Sequence, residues 1–336
     1  MEQERKSIRV GVAVICCAVL LRLLGGDTGR WVGRALQKPQ VISAVLLMET
    51  GRVVGLPDLP EVEKQTPVPT VETPETEPTE TVPAPTEALP VFSPADAALV
   101  TINNACGYDT DVAAGLTAGL SWDLTESAPS VLIIHSHGTE SYENGDGSYR
   151  STDVSANMIS IGDRLVQVLE QGGIRSVHDR QMHDSPSYSD SYVNARASIQ
   201  QYLQQYPDIR LVLDIHRDAV EDSEGNQLRF TVNTGAGEAA QLMLVVGTDA
   251  SGLSHPHWPE NMSLAVKLHA QLEKQVPGIC RPISFRSQRF NQDLSPGALI
   301  VEVGAAGNSH EEALRAVELL GQAIVELSKG TRSEES

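Results

Sequence analysis

From about Ala95 onward the sequence predicts an α/β domain, a mostly parallel sheet flanked by helices. Two observations carry the α/β prediction. Short apolar runs rich in Val, Ile and Leu recur as VLII (131–134), LVLDI (211–215), LMLVVG (242–247) and ALIVEVG (298–304), as expected of strands buried on both faces. Amphipathic stretches lie between them. Met158, Ile161, Leu165 and Val168 follow a helical period, and so do Leu314, Val317, Gly321 and Ile324. Ser309 followed by Glu312 matches a capping box opening the last helix. Strands alternating with helices imply a sheet covered on both sides, in one domain of roughly 95–330 without internal repeats.

Ahead of this domain the composition changes twice. Ile8 to Gly26 (IRVGVAVICCAVLLRLLGG) is the membrane candidate, with Arg5, Lys6 and Arg9 at its start. It is borderline in length for a span, and Arg22 near its far end can snorkel to the interface. A cleaved signal peptide is the rival reading, but no clear A-x-A site follows the apolar core. Residues 1–29 are therefore read as a cytoplasmic tip and single-pass anchor, and 30–56 as a membrane-proximal segment. Residues 57–94, rich in Pro, Thr and Glu, cannot bury enough surface to offset their chain entropy and stay extended. They form an acidic linker that holds the domain away from the membrane, outside the cytoplasm.

The 336-residue chain carries a net charge of −19. Nucleic acids and anionic headgroups both demand a basic surface, so neither is an expected partner. Of four cysteines, Cys16 and Cys17 lie in the apolar run, leaving Cys106 and Cys280. Their spacing matches no zinc knuckle or CxxC pattern. Two unlinked buried thiols are expected, with a Cys106–Cys280 disulfide as the alternative.

The chemistry gathers where apolar runs end, and in open α/β sheets ligands bind beyond the carboxyl ends of strands. After VLII comes His135-Ser-His137-Gly-Thr-Glu140, after LVLD comes Ile215-His216-Arg217-Asp218, and Glu302 lies within ALIVEVG. Two imidazoles and a carboxylate are the ligand set of a catalytic zinc with an open position for water. His137 and Glu140 form the short pair, and His216 is the distant third ligand. Glu302 is suited to be the general base. His135 lies two residues from His137, so in a continuing strand both point to one face and either can be the ligand. His137 is chosen because it completes H-x-x-E, leaving His135 beside the ligands or on the substrate. Asp214 is a candidate acceptor fixing an imidazole tautomer, and Arg217 a candidate for an oxyanion or substrate carboxylate.

Taken singly, each feature has a plainer reading: polar strand-end residues, a salt-bridged loop, a buried structural carboxylate. Their joint appearance at three strand ends points to a metal centre. His178, His183, His255, His257, His269 and His310 are placed in helices or loops as solvated or capped imidazoles, with His183-Asp184 and His255-Pro-His257 bordering a groove. No GxSxG, GxGxxG or GxxxxGK[ST] occurs, which disfavours a serine hydrolase and the simplest nucleotide sites.

Four segments, VLIIHSHGTESY, SVHDRQMHDSPSYSDSYVNARASI, LVLDIHRDA and RFNQDLSPGALIVEVGAAGNSHEEALRA, resemble the stage II sporulation protein P family over about residues 95 to 328. The resemblance implies a fold like that of zinc exopeptidases and other cell-wall amidases, and a zinc-dependent N-acetylmuramoyl-L-alanine amidase of peptidoglycan, sometimes also a crosslink endopeptidase, that thins septal wall during engulfment. It places metal ligands at His137, Glu140 and His216 and the acid/base at Glu302. It implies a stage II D lytic transglycosylase and a stage II M membrane protein as partners. A zinc carboxypeptidase on wall peptides and a non-catalytic wall-binding scaffold are the rival readings.

Overall fold

The structure, a computed structural model, describes residues 92–119, 124, 127–143 and 147–331. The anchor, the membrane-proximal segment and all but the last residues of the acidic linker lie outside them. Among the described residues no helix is long and apolar enough to cross a membrane. Phe92, the first described residue, is a buried member of the core three residues ahead of the expected domain start.

In chain order the elements are β1 (Ile102–Asn104), α1 (Val112–Thr117), β2 (Val131–Ile134), α2 (Met158–Gln171), β3 (Ser176–His178), α3 (Ser191–Gln205), β4 (Leu211–Asp218), β5 (Thr231–Asn233), β6 (Glu238–Ala240), β7 (Leu242–Val246), α4 (Trp258–Gln275), β8 (Ile283–Phe285), β9 (Ala298–Ala305) and α5 (His310–Thr331). Seven strands form one sheet in the order β1-β8-β7-β9-β4-β2-β3, and β5 and β6 pair separately as an antiparallel ribbon. Every predicted strand run and both predicted helices are present. The Ser309–Glu312 capping box is made in both directions, 3.2 Å each way.

Two features depart from expectation. β7 runs antiparallel to β9 while pairing in parallel with β8, so the sheet is two parallel blocks joined at one antiparallel seam. A buried strand reads as an apolar run in either direction, so the sequence pattern holds no sign of its polarity. His178 lies on β3 rather than in a helix or loop, and His183, His255 and His269 are buried rather than solvated.

Alternation along the strands sorts residues onto two faces. Val131, Ile133, Leu213, Ile215, Leu299, Val301 and Val303 face the larger core with α2, α4 and α5. Leu132, Ile134, Val212 and Ala298 face a smaller core under α3, with Ala195 and Ile199. Cys106 and Cys280 are free and only half buried.

Lys267 of α4 is buried and donates to the Gly115 and Leu116 carbonyls at the end of α1, at 2.5 and 2.6 Å. Burial pulls its pKa down from 10.5 to about 8. Between those values the unfolded chain holds a proton that the folded chain has lost, so this residue's contribution to stability rises as pH rises through that window. Lys267→Met leaves both carbonyls without their donor and is expected to cost about 1–3 kcal/mol at neutral pH. Denaturant midpoints from pH 7.5 to 10.5 check this, the wild type gaining on the variant as pH rises.

Candidate metal and catalytic centre

β4 and β9 are adjacent and parallel, and their register places His216 directly opposite Glu302 and Asp214 opposite Ile300. Paired residues in such a ladder share a face, about 4.8 Å apart. Asp214, His216 and Glu302 therefore all project on the α3 side. β4 extends to Asp218, beyond the apolar run that announces it, and this carries His216 within the strand.

The turn after β2 brings the third group. Ser136 donates its backbone N–H and its hydroxyl to the two Asp214 oxygens, at 2.7 and 2.6 Å, hooking residues 135–140 onto β4. Gly138 passes so close to Met182 that a Cβ would lie 3.1 Å from the Met182 Cα. Glu140 then turns back over the strand. Its Oε2 lies 3.5 Å from His216 Nδ1 and accepts the Arg217 N–H at 3.3 Å. On the other side of the ring, His216 Nε2 is 2.8 Å from Asp214 Oδ1.

His216 thus sits between two carboxylates. Burial alone would lower its pKa, but Asp214 and Glu140 hold it well above the ordinary value. Burial works against ionisation of Asp214 too, yet His216 and the Ser136 bonds keep it down at about 2. Glu302 behaves oppositely. Its Oε2 is buried with no hydrogen-bond partner, and burial, reinforced by the nearby Glu140 and Asp218 charges, pushes its pKa up to about 8. Neighbouring carboxyls with pKa values driven apart are the pattern of a divided acid/base task.

His137 stands beside this cluster, its ring 5.3 Å from that of His216 and nearly perpendicular to it. Its Nδ1 is buried without a hydrogen bond, 4.0 Å from Asp184. His135 is elsewhere. β2 ends at Ile134, so the two histidines do not continue one strand. His135 shares the face of Ile133 and packs under α2. Its Nδ1 meets the Ile215 carbonyl at 3.0 Å and its Nε2 meets His178 Nε2 at 2.8 Å. Both ring nitrogens are engaged across the sheet from His216. Burial, then His178, lowers its pKa to about 3.

Arg217 does not project into the centre as an anion-binding group. Its guanidinium donates to the Ser141 and Tyr149 carbonyls at 3.0 and 2.7 Å, holding the loop that follows Glu140. His183 bonds Asp179 at 3.0 Å instead of lining the centre, whereas Asp184 beside it does reach the ligand turn. Asp184 accepts from the Thr139 N–H, from its hydroxyl at 2.6 Å and from Arg150 at 2.9 Å. Two tyrosines at the start of α3 complete the wall. Tyr188 stacks on His137 at 4.3 Å between centroids, and Tyr192 lies nearly parallel to His216 at 6.4 Å. Arg150, Tyr188 and Tyr192 were not singled out from sequence. Tyr188 lies in a 3-10 turn just ahead of α3 and Tyr192 in its first turn, so no helical period links them in the sequence.

Among the described residues no three His, Cys, Asp or Glu side chains already stand at metal-binding spacing. The donor chemistry nonetheless fits a zinc ion. Glu140 Oε2 and His216 Nδ1 face each other at 3.5 Å, His137 Nδ1 is buried and unpaired, and Asp214 Oδ1 lies 2.8 Å from the far nitrogen of His216. Carboxylate-backed histidine is how zinc ligands are oriented.

A Cβ added at Gly162 of α2 would lie 2.5 Å from His178 Nε2 and 2.6 Å from His135 Nε2. Gly162→Ala is expected to destabilise the protein by about 1–3 kcal/mol through overpacking. Thermal unfolding tests this, and an unchanged midpoint would show that the two-histidine contact yields freely.

Known proteins similar to this chain include solved structures and a curated relative. The solved structures it is similar to include the N-acetylmuramoyl-L-alanine amidase AmiC2 of Nostoc punctiforme (18% identity, 60% of this chain and 97% of that one, TM-score 0.39). Another is the N-acetylmuramoyl-L-alanine amidase of Clostridium difficile 630 (16%, 59% and 94%, TM-score 0.38). A third is the CwlD amidase of Clostridioides difficile, solved in complex with the GerS lipoprotein (13%, 60% and 98%, TM-score 0.40). Among curated proteins, the Stage II sporulation protein P of Bacillus subtilis (strain 168) is 28% identical over 213 residues. That alignment takes in 59% of this chain and 50% of the relative, so the chain spans about half the length of the curated relative it matches. The sequence model of Stage II sporulation protein P (SpoIIP) matches residues 60–325, most of the chain, and the chain belongs to that family.

Proposed function

We propose that this protein is a zinc-dependent N-acetylmuramoyl-L-alanine amidase, cutting the amide between the lactyl group of muramic acid and the first L-alanine of the stem peptide. The observation that carries the reading is Glu302, a half-buried residue whose Oε2 is enclosed and unpaired and whose pKa is pushed up to about 8, registered opposite His216. His137, Glu140 and His216 would hold the metal. Bound there, zinc would polarise the scissile carbonyl and acidify a water molecule.

The chain's own residues supply the rest. Asp214 holds His216 Nε2, leaving Nδ1 turned toward Glu140. Glu302 Oε2 takes a proton from the attacking water and passes it to the leaving alanine nitrogen. A carboxyl that titrates near neutrality can do both in one turnover. Tyr188 and Tyr192 wall the centre on the α3 side. Family membership supports a place in sporulation: thinning of septal wall during engulfment from a membrane anchor in residues 1–29, with the stage II D transglycosylase and stage II M protein as partners.

Purified protein, with and without chelation, is incubated with sacculi and the soluble products are identified by mass. Release of stem peptides beginning with L-alanine, lost on chelation and restored by zinc, is expected. Single terminal residues in the digest would instead identify a carboxypeptidase. Glu302→Gln should keep its zinc by elemental analysis while turnover falls by about 10²–10⁴-fold. Loss of metal along with activity would falsify the acid/base assignment.

A further inference from the structure

We infer that Arg150 is a specificity-determining residue that binds a carboxylate of the substrate's stem peptide at the lip of the catalytic centre. The inference rests on the amidase reading above and names the group by which the site selects its substrate. Arg150 lies on the strip that pairs with Glu140, the two forming an isolated antiparallel bridge. Its guanidinium lies 4.4 Å over the Tyr188 ring, and Tyr188 in turn stacks on His137. Arg150 Nη2 is 3.9 Å from Glu140 Oε1. A cation is therefore held within one side chain of two of the three candidate ligands.

The way it is held leaves it usable. Nη1 donates to Asp184 at 2.9 Å and to the Thr139 hydroxyl at 3.0 Å. Nη2 and Nε donate no hydrogen bond among the described residues, and the side chain stays 42% exposed. Asp184 is fully buried and also held by Thr139, so it anchors one prong of the guanidinium fork and fixes its plane. The remaining donors, Nη2 and Nε, are held beside the centre on a side chain that stays partly exposed. A planar fork with free parallel N–H groups matches a carboxylate in bidentate fashion. Arg217, the other guanidinium beside Glu140, is consumed by backbone carbonyls.

Charge strengthens the case. The chain carries −19 overall, so an anionic peptide gains nothing from the general field and must be met locally. The stem peptide bears a free carboxylate on the residue after the first alanine, close to the scissile amide, and another on its diamino acid.

The test uses the full chain in detergent. Calorimetry with chelated, metal-free protein compares a stem tripeptide in three forms: free acid, amidated at the second residue, and amidated at the diamino acid. Cleavage of the corresponding muramyl tripeptides is measured with zinc restored. The free acid is expected to bind at least about tenfold more tightly than one of the amidated forms. In R150Q that ratio collapses toward one, and in kcat/KM as in binding. R150K, which keeps the charge and loses the fork, should retain only part of the discrimination. Equal binding of all three peptides by the wild type overturns the inference. Equal weakening of all three in R150Q, or full wild-type selectivity in R150K, does so as well. Acid-selective, Arg150-dependent binding with no cleavage would leave this inference standing and sink the amidase reading. Cleavage of all forms with equal efficiency would do the reverse.

Discussion

A carboxylate buried within a central strand must have its oxygens satisfied, and the way Asp214 meets this demand shapes everything around it. One oxygen takes the Ser136 N–H, the other takes the Ser136 hydroxyl, and the first also faces His216 Nε2. The same group therefore ties the turn after β2 to β4 and turns the His216 ring so that its other nitrogen looks toward Glu140. Breaking such a buried network strands several polar groups together, which is why its members act as a unit. That hook, together with the Arg217 N–H bond to Glu140, sets residues 137–140 against the β4–β9 ladder that carries His216 and Glu302.

The sheet adds a second constraint, because alternation allows no residue to choose its face. His216 and Glu302 share a face by register, and His135, level with Ile215, is assigned to the other. There it meets His178 beneath Gly162, and His178 Nδ1 continues to Asp163 at 3.1 Å. The sheet thus separates two histidine systems only a strand's thickness apart. One is open to solvent through Glu302 and the tyrosine wall. The other is packed under α2 with every ring nitrogen engaged, so it steadies the strand ends on which the first is mounted.

Much of this was legible in the sequence because buried strands read as apolar runs, and a polar residue at the end of one must have a reason to be there. His216, Glu302 and the H-x-x-E turn stood out for that reason, as did the capping box at Ser309. What escaped has specific causes. The direction of β7 left no trace in its composition. The choice between His135 and His137 depended on β2 stopping at Ile134, and strand ends are set by pairing with neighbours rather than by local preference. Arg217 looked available until the loop carbonyls that occupy it were placed. Arg150, Asp184 and Tyr188 reach the centre from separate loops, and no periodicity connects residues brought together only by tertiary contact.

The electrostatics of the centre follow from its geometry as a single balance. Glu140, Asp214 and Glu302 crowd one imidazole, an excess of potential negative charge in a buried space that cannot remain uncompensated. The proton held by His216 and the proton that Glu302 retains up to about pH 8 supply the compensation. On the proposed reading His137, Glu140 and His216 would hold a divalent cation that supplies this compensation instead, with His216 neutral, since an imidazole ligates only when neutral. Its charge would also favour ionisation of Glu302, drawing the pKa down from the high side. On the proposed reading, loading the site therefore primes the base as well as the electrophile. The anions that crowd Glu302 hold its proton on, and on that reading relief of their charge is what would free its carboxylate to accept one.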